Sequence, residues 1–238
     1  MIIKRLISYY YEFINRLIKW KWDNSISNSS INGVALMYHH ISEYHLDVLD
    51  SCQHTIEQFI NSLVTYQERG YEFVSIDEAY EIISSNSTKK FAVITFDDVP
   101  LSAYEFAVPV LQEKNIPFTF FITTEYLGKE GYITEKHLLV LDKLQLCTIG
   151  AHSVSHPMLR NVKNIGFELR ESKKILESLL GHTVNYLAYP YGLKSSVSRK
   201  VIREANKIGY KCAFGTIQSL ITDTSSRNLF YLPRVVCH

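Results

Sequence analysis

Asp97 and Asp98 stand side by side directly after the apolar run FAVITF. A strand that ends in two acids aims them in different directions, because successive side chains alternate across a strand. One carboxylate of such a pair can hold a cation while its neighbour takes a proton from a polarised water. Farther along, the run CTIG leads into Ala151-His152-Ser153-Val154-Ser155-His156-Pro157, with two imidazoles four positions apart. If that segment turns helically, both rings lie on one face and share one ion. Alone, an Asp pair also makes turns or helix caps, and a His pair also serves as surface or core residues. Together, one carboxylate and two imidazoles leave coordination positions open for water and substrate, as hydrolytic metal sites require.

Two more segments have the residue types that such a hydrolysis needs. Leu187-Ala188-Tyr189-Pro190-Tyr191-Gly192 ends an apolar run in a turn fixed by Pro190 and Gly192, where held backbone N–H groups suit an oxyanion. Leu36-Met37-Tyr38-His39-His40 ends another in two imidazoles, and a group of near-neutral pKa is suited to protonate a leaving amine. His45, His54, His137, His182 and His238 have no companion pattern and are expected to be structural.

The elements that must position these residues follow from periodicity. After the polar run Asp23 to Asn32, Gly33 opens an apolar strand, VALMYH, so the expected layout is an N-terminal helix and linker over residues 1–32 and one domain over 33–238. Helices are expected over 55–68, 76–83, 102–114, 134–144, 165–180 and 195–208. Strands are expected over 73–75, 91–96, 118–122, 147–150, 186–189, 211–214 and 231–235. This sustained alternation points to parallel strands with helical crossovers, and the number of units favours a closed or nearly closed barrel over an open sheet. In such a barrel chemistry gathers at the strands' C-terminal ends, where every candidate above falls.

Bulk properties narrow the function classes. With 238 residues the chain suits one large domain, and 25 Lys+Arg against 24 Asp+Glu gives no electrostatic reason to expect nucleic acid as a partner. Cys52, Cys147, Cys212 and Cys237 form no C-x-x-C pair and read as free, buried thiols of a reducing compartment. The first 22 residues place apolar side chains at helical spacing but interrupt them with Lys4, Arg5, Arg16 and Lys19. No continuous apolar core for a signal peptide or membrane span results, so a cytoplasmic location is expected, with peripheral contact at the inner membrane face left open to this basic amphipathic helix.

The stretches ITFDDVP, GAHSVSHPML and LAYPYG resemble the first three motifs of the polysaccharide deacetylases with a NodB-homology domain, supported by LMYHHI, RGYEFVSIDEA and VPVLQEKNIPFTFFIT. The resemblance runs from about Val34 to the C-terminus. It implies an α/β fold, a distorted (β/α)7-type barrel, here with an added N-terminal amphipathic helix. It also implies a metal-dependent hydrolase acting on an N-acetylated carbohydrate in surface polysaccharide or glycoconjugate synthesis. By the resemblance, Asp97 is the catalytic base, and Asp98, His152 and His156 are the ligands of a divalent ion, zinc first, with iron, cobalt or nickel also suited. Tyr191 is the residue whose backbone N–H joins the oxyanion hole.

Three departures matter. Val99 stands where glycine commonly follows the Asp pair. Ala188 stands where the family has an arginine that orients the base, which makes Arg234 in the terminal LPRVV the candidate replacement. The C-terminal Leu-x-x-His that normally supplies the general acid is missing, since the sequence ends in Val235-Val236-Cys237-His238. In a circularly permuted branch, similar to deacetylases of poly-N-acetylglucosamine, the acid comes from the first strand in a Tyr-His context, which assigns it to His39. Alternative expectations are a catalytically weak or silent metal-containing carbohydrate-binding subunit, or a deformylase of a lipid-linked amino sugar.

Overall fold

The computed structural model describes residues 29–44, 53–85 and 87–237, so the expected N-terminal helix, His45, Cys52 and His238 lie outside the described residues. The first long strand is β1 (Asn32–Tyr38), followed by two short strands, β2 (His40–Ser42) and β3 (Gln53–Thr55), that pair with each other. Then come α1 (Ile56–Glu68), β4 (Glu72–Phe73), α2 (Ile76–Ser84), β5 (Lys90–Asp97), α3 (Val108–Glu113), β6 (Phe118–Ile122), α4 (Glu135–Asp142) and β7 (Cys147–Ala151). The chain continues through α5 (Ile165–Leu180), β8 (Tyr186–Ala188), α6 (Arg199–Ile208), β9 (Cys212–Phe214), α7 (Asp223–Ser226) and β10 (Val235–Val236).

Seven strands follow one another in the order β10-β1-β5-β6-β7-β8-β9, every pair parallel, and β4 pairs with the start of β5. Leu232 closes the curve on the far side: its N–H donates to Ala213 and its carbonyl accepts from Gly215, while β10, three residues on, pairs with β1. The result is the strongly curled, barrel-like α/β sheet that the alternation predicts.

Alternation along β5 shows how the barrel is filled. Ala92, Ile94 and Phe96 join the cluster that holds Phe59, Leu111, Leu141, Leu169 and Leu176 of the surrounding helices. Phe91 and Val93 belong to a second cluster, with Ala35, Phe121, Ala188, Phe214 and Leu232, that fills the interior. Thr95 and Asp97 continue that inward row, so the interior is apolar near the strand starts and polar at their C-terminal ends. Two glycines make room for large interior rings: a Cβ on Gly33 would sit 2.2 Å from the Phe91 ring, and one on Gly150 would sit 2.5 Å from that of Phe121.

Several boundaries differ from expectation for identifiable reasons. The helix expected over 102–114 is a π-helical turn, Ala103–Ala107, followed by α3. Pro109 lacks the N–H that an uninterrupted helix would need there. The strand expected over 231–235 is a 3-10 turn, Leu229–Tyr231, and only Val235 and Val236 ladder with β1, because Pro233 removes a donor between the two pairings. Residues 195–198 are not helical; Ser198 caps α6 by accepting from the N–H of Val201. At the start of the barrel, Ser29, Ser30 and Ile31 are fastened to Asp223, whose carboxylate accepts from both the Ser30 and Ile31 N–H groups. Cys147, Cys212 and Cys237 are free thiols; Cys212 and Cys237 are buried as expected, whereas Cys147 is only partly so.

Candidate active site

Asp97 ends β5 on the inward row and is almost completely buried. A buried carboxylate needs a partner, and Arg234 supplies one in fork geometry: Nη1 donates to Oδ1 and Nη2 to Oδ2, each at 2.6 Å. Arg234 is itself fully buried. Its Nε donates to the Gly215 carbonyl, its Nη1 reaches Thr95 Oγ1 at 3.3 Å, and its guanidinium lies 5.5 Å from the Phe121 ring centre. Burial by itself would raise the Asp97 pKa, but the charge of Arg234, followed by His152 and the Arg234 hydrogen bonds, outweighs it and holds the carboxyl well below the usual carboxylate range. Asp97 therefore stays ionised and fixed in orientation. Arg234, just before β10, thus makes the pairing with Asp97 expected of an arginine that Ala188 does not supply.

Asp98 leaves the strand in a γ-turn, with the Val99 N–H donating to the Asp97 carbonyl at 2.6 Å. Asp98 and Val99 have φ of 59° and 50°, a region that β-branched residues rarely adopt. This reversal carries the Asp98 carboxylate out of the strand's alternation toward the histidines, with Oδ1 held by the Thr123 hydroxyl at 2.7 Å. Glycine would take φ at position 99 without strain, whereas Val99 is held there by complete burial. The departure at Val99 thus falls on the backbone and leaves the Asp98 carboxylate directed at the histidines.

His152 follows β7 and is also buried. Its Nδ1 lies 2.8 Å from the Ala188 carbonyl, an acceptor only, so Nδ1 carries the hydrogen and Nε2 keeps its lone pair. Nε2 lies 3.7 Å from Asp97 Oδ2 and 4.0 Å from Asp98 Oδ1. Burial lowers the His152 pKa against the opposing pull of Asp97 and Asp98, which favours the neutral imidazole that a metal requires. His156 Nε2 approaches Asp98 Oδ2 to 3.7 Å. One ligand atom from each of Asp98, His152 and His156 lies within 4.8 Å of the others, so a carboxylate and two imidazoles converge on one point. This donor set, with the His152 lone pair oriented by Ala188, fits a divalent transition metal.

Tyr191 has φ of 60° and a half-exposed ring packed on that of His156, with centroids 4.7 Å apart. The turn is fixed by Gly192, whose carbonyl accepts from the Thr216 N–H and the Tyr231 hydroxyl and where a Cβ would collide with Thr216 Oγ1 at 2.2 Å. His39 sits between β1 and β2 with Nδ1 buried and without a hydrogen-bond partner among the described residues. Burial lowers its pKa, opposed by the charges of Asp97 and Asp98, so it lies within the field of the same acids. His40 differs in pointing Nδ1 at Ser102, 3.3 Å away. The structure therefore brings Asp97, Asp98, His152, His156, Tyr191, Arg234 and His39 to one end of the barrel.

Two contributors escaped the sequence reading. Thr123 holds Asp98, and Glu168 of α5 accepts from the N–H groups of Val154 and Ser155 in the histidine loop. A signal for Glu168 existed: it shares the face of Ile165, Leu169 and Leu176, where an unexplained acid falls in an apolar row.

The family model described as polysaccharide deacetylase matches residues 84–213. Among curated relatives, the poly-beta-1,6-N-acetyl-D-glucosamine N-deacetylase of Staphylococcus aureus (strain MSSA476) is 28% identical over 195 residues, covering 75% of this chain and 66% of the relative. The match thus spans just under two thirds of that protein's length. Among solved structures, the putative polysaccharide deacetylase BA0330 from Bacillus anthracis superposes with a TM-score of 0.76 at 25% identity, covering 87% of this chain and 65% of that one. IcaB from Ammonifex degensii gives a TM-score of 0.76 at 22% identity, covering 87% of this chain and 92% of that one, a likeness of fold.

Proposed function

Because this chain belongs to the polysaccharide deacetylase family, we propose that it hydrolyses the N-acetyl group of an amino sugar, in a glucosamine-containing surface polysaccharide or its precursor. The observation that carries this reading is the division of labour between the adjacent acids. Asp97 is clamped by Arg234 and kept ionised, while Asp98 turns away to complete a cluster with His152 and His156. A site meant only to hold a cation would have no use for a second, oriented carboxylate at its edge.

A divalent ion bound by Asp98, His152 and His156 would polarise the acetyl carbonyl and the attacking water. Asp97 takes a proton from that water on a remaining lone pair, both of its oxygens being held in orientation by the guanidinium. The Tyr191 backbone N–H, in the turn secured by Gly192, donates to the oxygen that becomes negative as the carbonyl carbon turns tetrahedral. His39, in its protonated form, gives a proton to the sugar nitrogen as the C–N bond breaks, so that a free amine and acetate leave. The relative's printed activity, on poly-β-1,6-N-acetyl-D-glucosamine, supports an N-acetylglucosamine substrate over other acyl sugars. Against a silent carbohydrate-binding subunit stands the pairing of Arg234 with Asp97, which supplies the contact that an arginine at Ala188 would make. A cytoplasmic location, with the basic N-terminal segment bringing the barrel to the inner membrane face, belongs to the same proposal and rests on the Lys and Arg pattern of residues 1–22.

The test is a mass-resolved assay of acid release from N-acetylglucosamine oligomers and from soluble, nucleotide-linked and lipid-linked amino sugars with N-acetyl or N-formyl groups. Acetate release is expected, with Asp97→Asn and His39→Ala each lowering it by about 10²- to 10⁴-fold. Unchanged release in both variants overturns the catalytic assignment, and formate as the dominant product replaces the acetyl group with formyl. Elemental analysis of chelator-free protein should find about one divalent ion per chain, reduced by Asp98→Ala.

A further inference from the structure

We infer that Glu168 is a positioning residue for the metal site, holding the loop between the two histidines in the shape that turns both imidazoles onto Asp98. The inference rests on the metal-site reading above and concerns a residue on a different element, behind the site.

The loop from His152 to His156 does not follow the helical turn that the four-residue spacing suggests. Ser153 and His156 both have positive φ, 69° and 56°, and the Ser153 hydroxyl accepts from the His156 N–H at 3.0 Å. Two left-handed residues within four positions cost free energy that something outside the loop must offset. Part of the hold comes from the segment after β6, where the N–H groups of Thr124 and Glu125 donate to the carbonyls of Ser153 and Val154. Three more polar groups of the loop are met from the other side. Glu168 Oε2 accepts from the N–H of Val154 at 3.1 Å and of Ser155 at 3.0 Å, and Oε1 accepts from the Ser155 hydroxyl at 2.8 Å.

Glu168 is itself buried on the core face of α5. A carboxylate that serves only the helix as a first-turn acid would lie at the surface and face the helix's own N–H groups. Here both oxygens leave the helix and enclose the loop, and all three donors are neutral. A buried carboxylate is costly unless fully hydrogen-bonded, so its retention in an apolar row has to be matched by what it fixes. It fixes the backbone immediately before His156, the ligand that shares Asp98 with His152. Outer residues that orient metal ligands typically change metal affinity by about 10- to 100-fold when altered.

The measurement is zinc affinity of the full chain by competition with a chromogenic chelator, together with unfolding midpoints of the metal-free and zinc-loaded protein. Glu168→Gln keeps the side chain's shape but presents an amide nitrogen to N–H donors. It should bind zinc about 10- to 100-fold more weakly, with the zinc-induced rise in midpoint reduced more than the metal-free midpoint is lowered. Equal lowering of both midpoints, or zinc affinity within twofold of the parent, overturns the inference. Ser155→Ala, which removes one donor and should fold whatever Glu168→Gln does, is expected to bind zinc severalfold more weakly, and unchanged binding overturns it as well. Failure of the unsubstituted chain to bind zinc, cobalt, nickel or ferrous iron in the same competition overturns the metal-site reading and this inference with it, whereas undiminished binding by the variants overturns only the role of Glu168.

Discussion

The two ends of the barrel meet the same backbone problem with different residues. At the end where helices return to strand starts, positive φ is assigned to Gly70, Gly181 and Gly209, each with nothing within 4 Å of a hypothetical Cβ, and to one exposed asparagine, Asn115. These are helix stops, built from the residues that adopt that region most cheaply. At the other end, where strands finish, positive φ falls on Gly128, Gly131 and Gly192 but also on five residues with side chains, Asp98, Val99, Ser153, His156 and Tyr191. Glycine at any of these five would ease the backbone, yet at Asp98 and His156 it would remove a side chain of the proposed metal cluster. The difference teaches that one end is shaped for stability and the other accepts strain so that its side chains converge.

The largest expected effect breaks that contrast at its most buried point. Arg234→Leu leaves the Asp97 carboxylate buried without its counter-charge and should cost about 3 to 5 kcal/mol in urea unfolding, with hydrolysis lost. Replacing both, Asp97→Leu with Arg234→Leu, should recover most of that stability while hydrolysis stays absent, because a packed apolar pair often matches a buried ion pair. Acid titration gives the sign. The Asp97 carboxyl is held below its unfolded value, so its contribution is present above about pH 4, the ordinary carboxylate pKa, and is lost as pH falls toward the native value. Stability of the parent should therefore fall more steeply below that pH than stability of the double variant. Equal slopes would show that the pair is not what the active end maintains at the expense of stability.

Much of this was legible in the sequence, and what was not has a physical reason. Short continuous apolar runs ended by acids or histidines located β5 and β7 with Asp97, Asp98, His152 and His156, because a strand buried on both faces leaves few other patterns. Arg234 became a candidate only through the resemblance, which implies an arginine where Ala188 stands, and its guanidinium lies on Asp97. The pairing of β2 with β3 was invisible because three residues carry no measurable period. Loop shape was invisible as well: four-residue spacing of the histidines suggests a helical turn, and only the φ angles of Ser153 and His156 show otherwise.

A middle-sized effect sharpens the comparison from the stability end. Gly181 closes α5 at φ 77°, in open space, so Gly181→Ala meets only backbone strain. It should lower stability by about 1 to 2 kcal/mol and leave the kcat/KM for deacetylation unchanged. A change in kcat/KM would mean that the two ends are coupled through α5, whose first turn carries Glu168 toward the histidine loop.

The smallest effect has the reverse sign and is read at the active end. Tyr191 holds φ at 60° with its ring half exposed, so Tyr191→Ala removes the ring and keeps the strain, whereas Tyr191→Gly removes both. Of the two, the glycine variant should be the more stable by up to about 1 kcal/mol, the left-handed penalty less the greater freedom of glycine in the unfolded chain. Both should lose hydrolysis to a similar degree, because both uncover the His156 ring that Tyr191 packs against and loosen the turn that carries the oxyanion donor. If the glycine variant were the less stable one, the strained backbone at this end would not be a cost that the side chains justify. The contrast between the two ends would then reduce to a difference in residue choice without an energetic meaning.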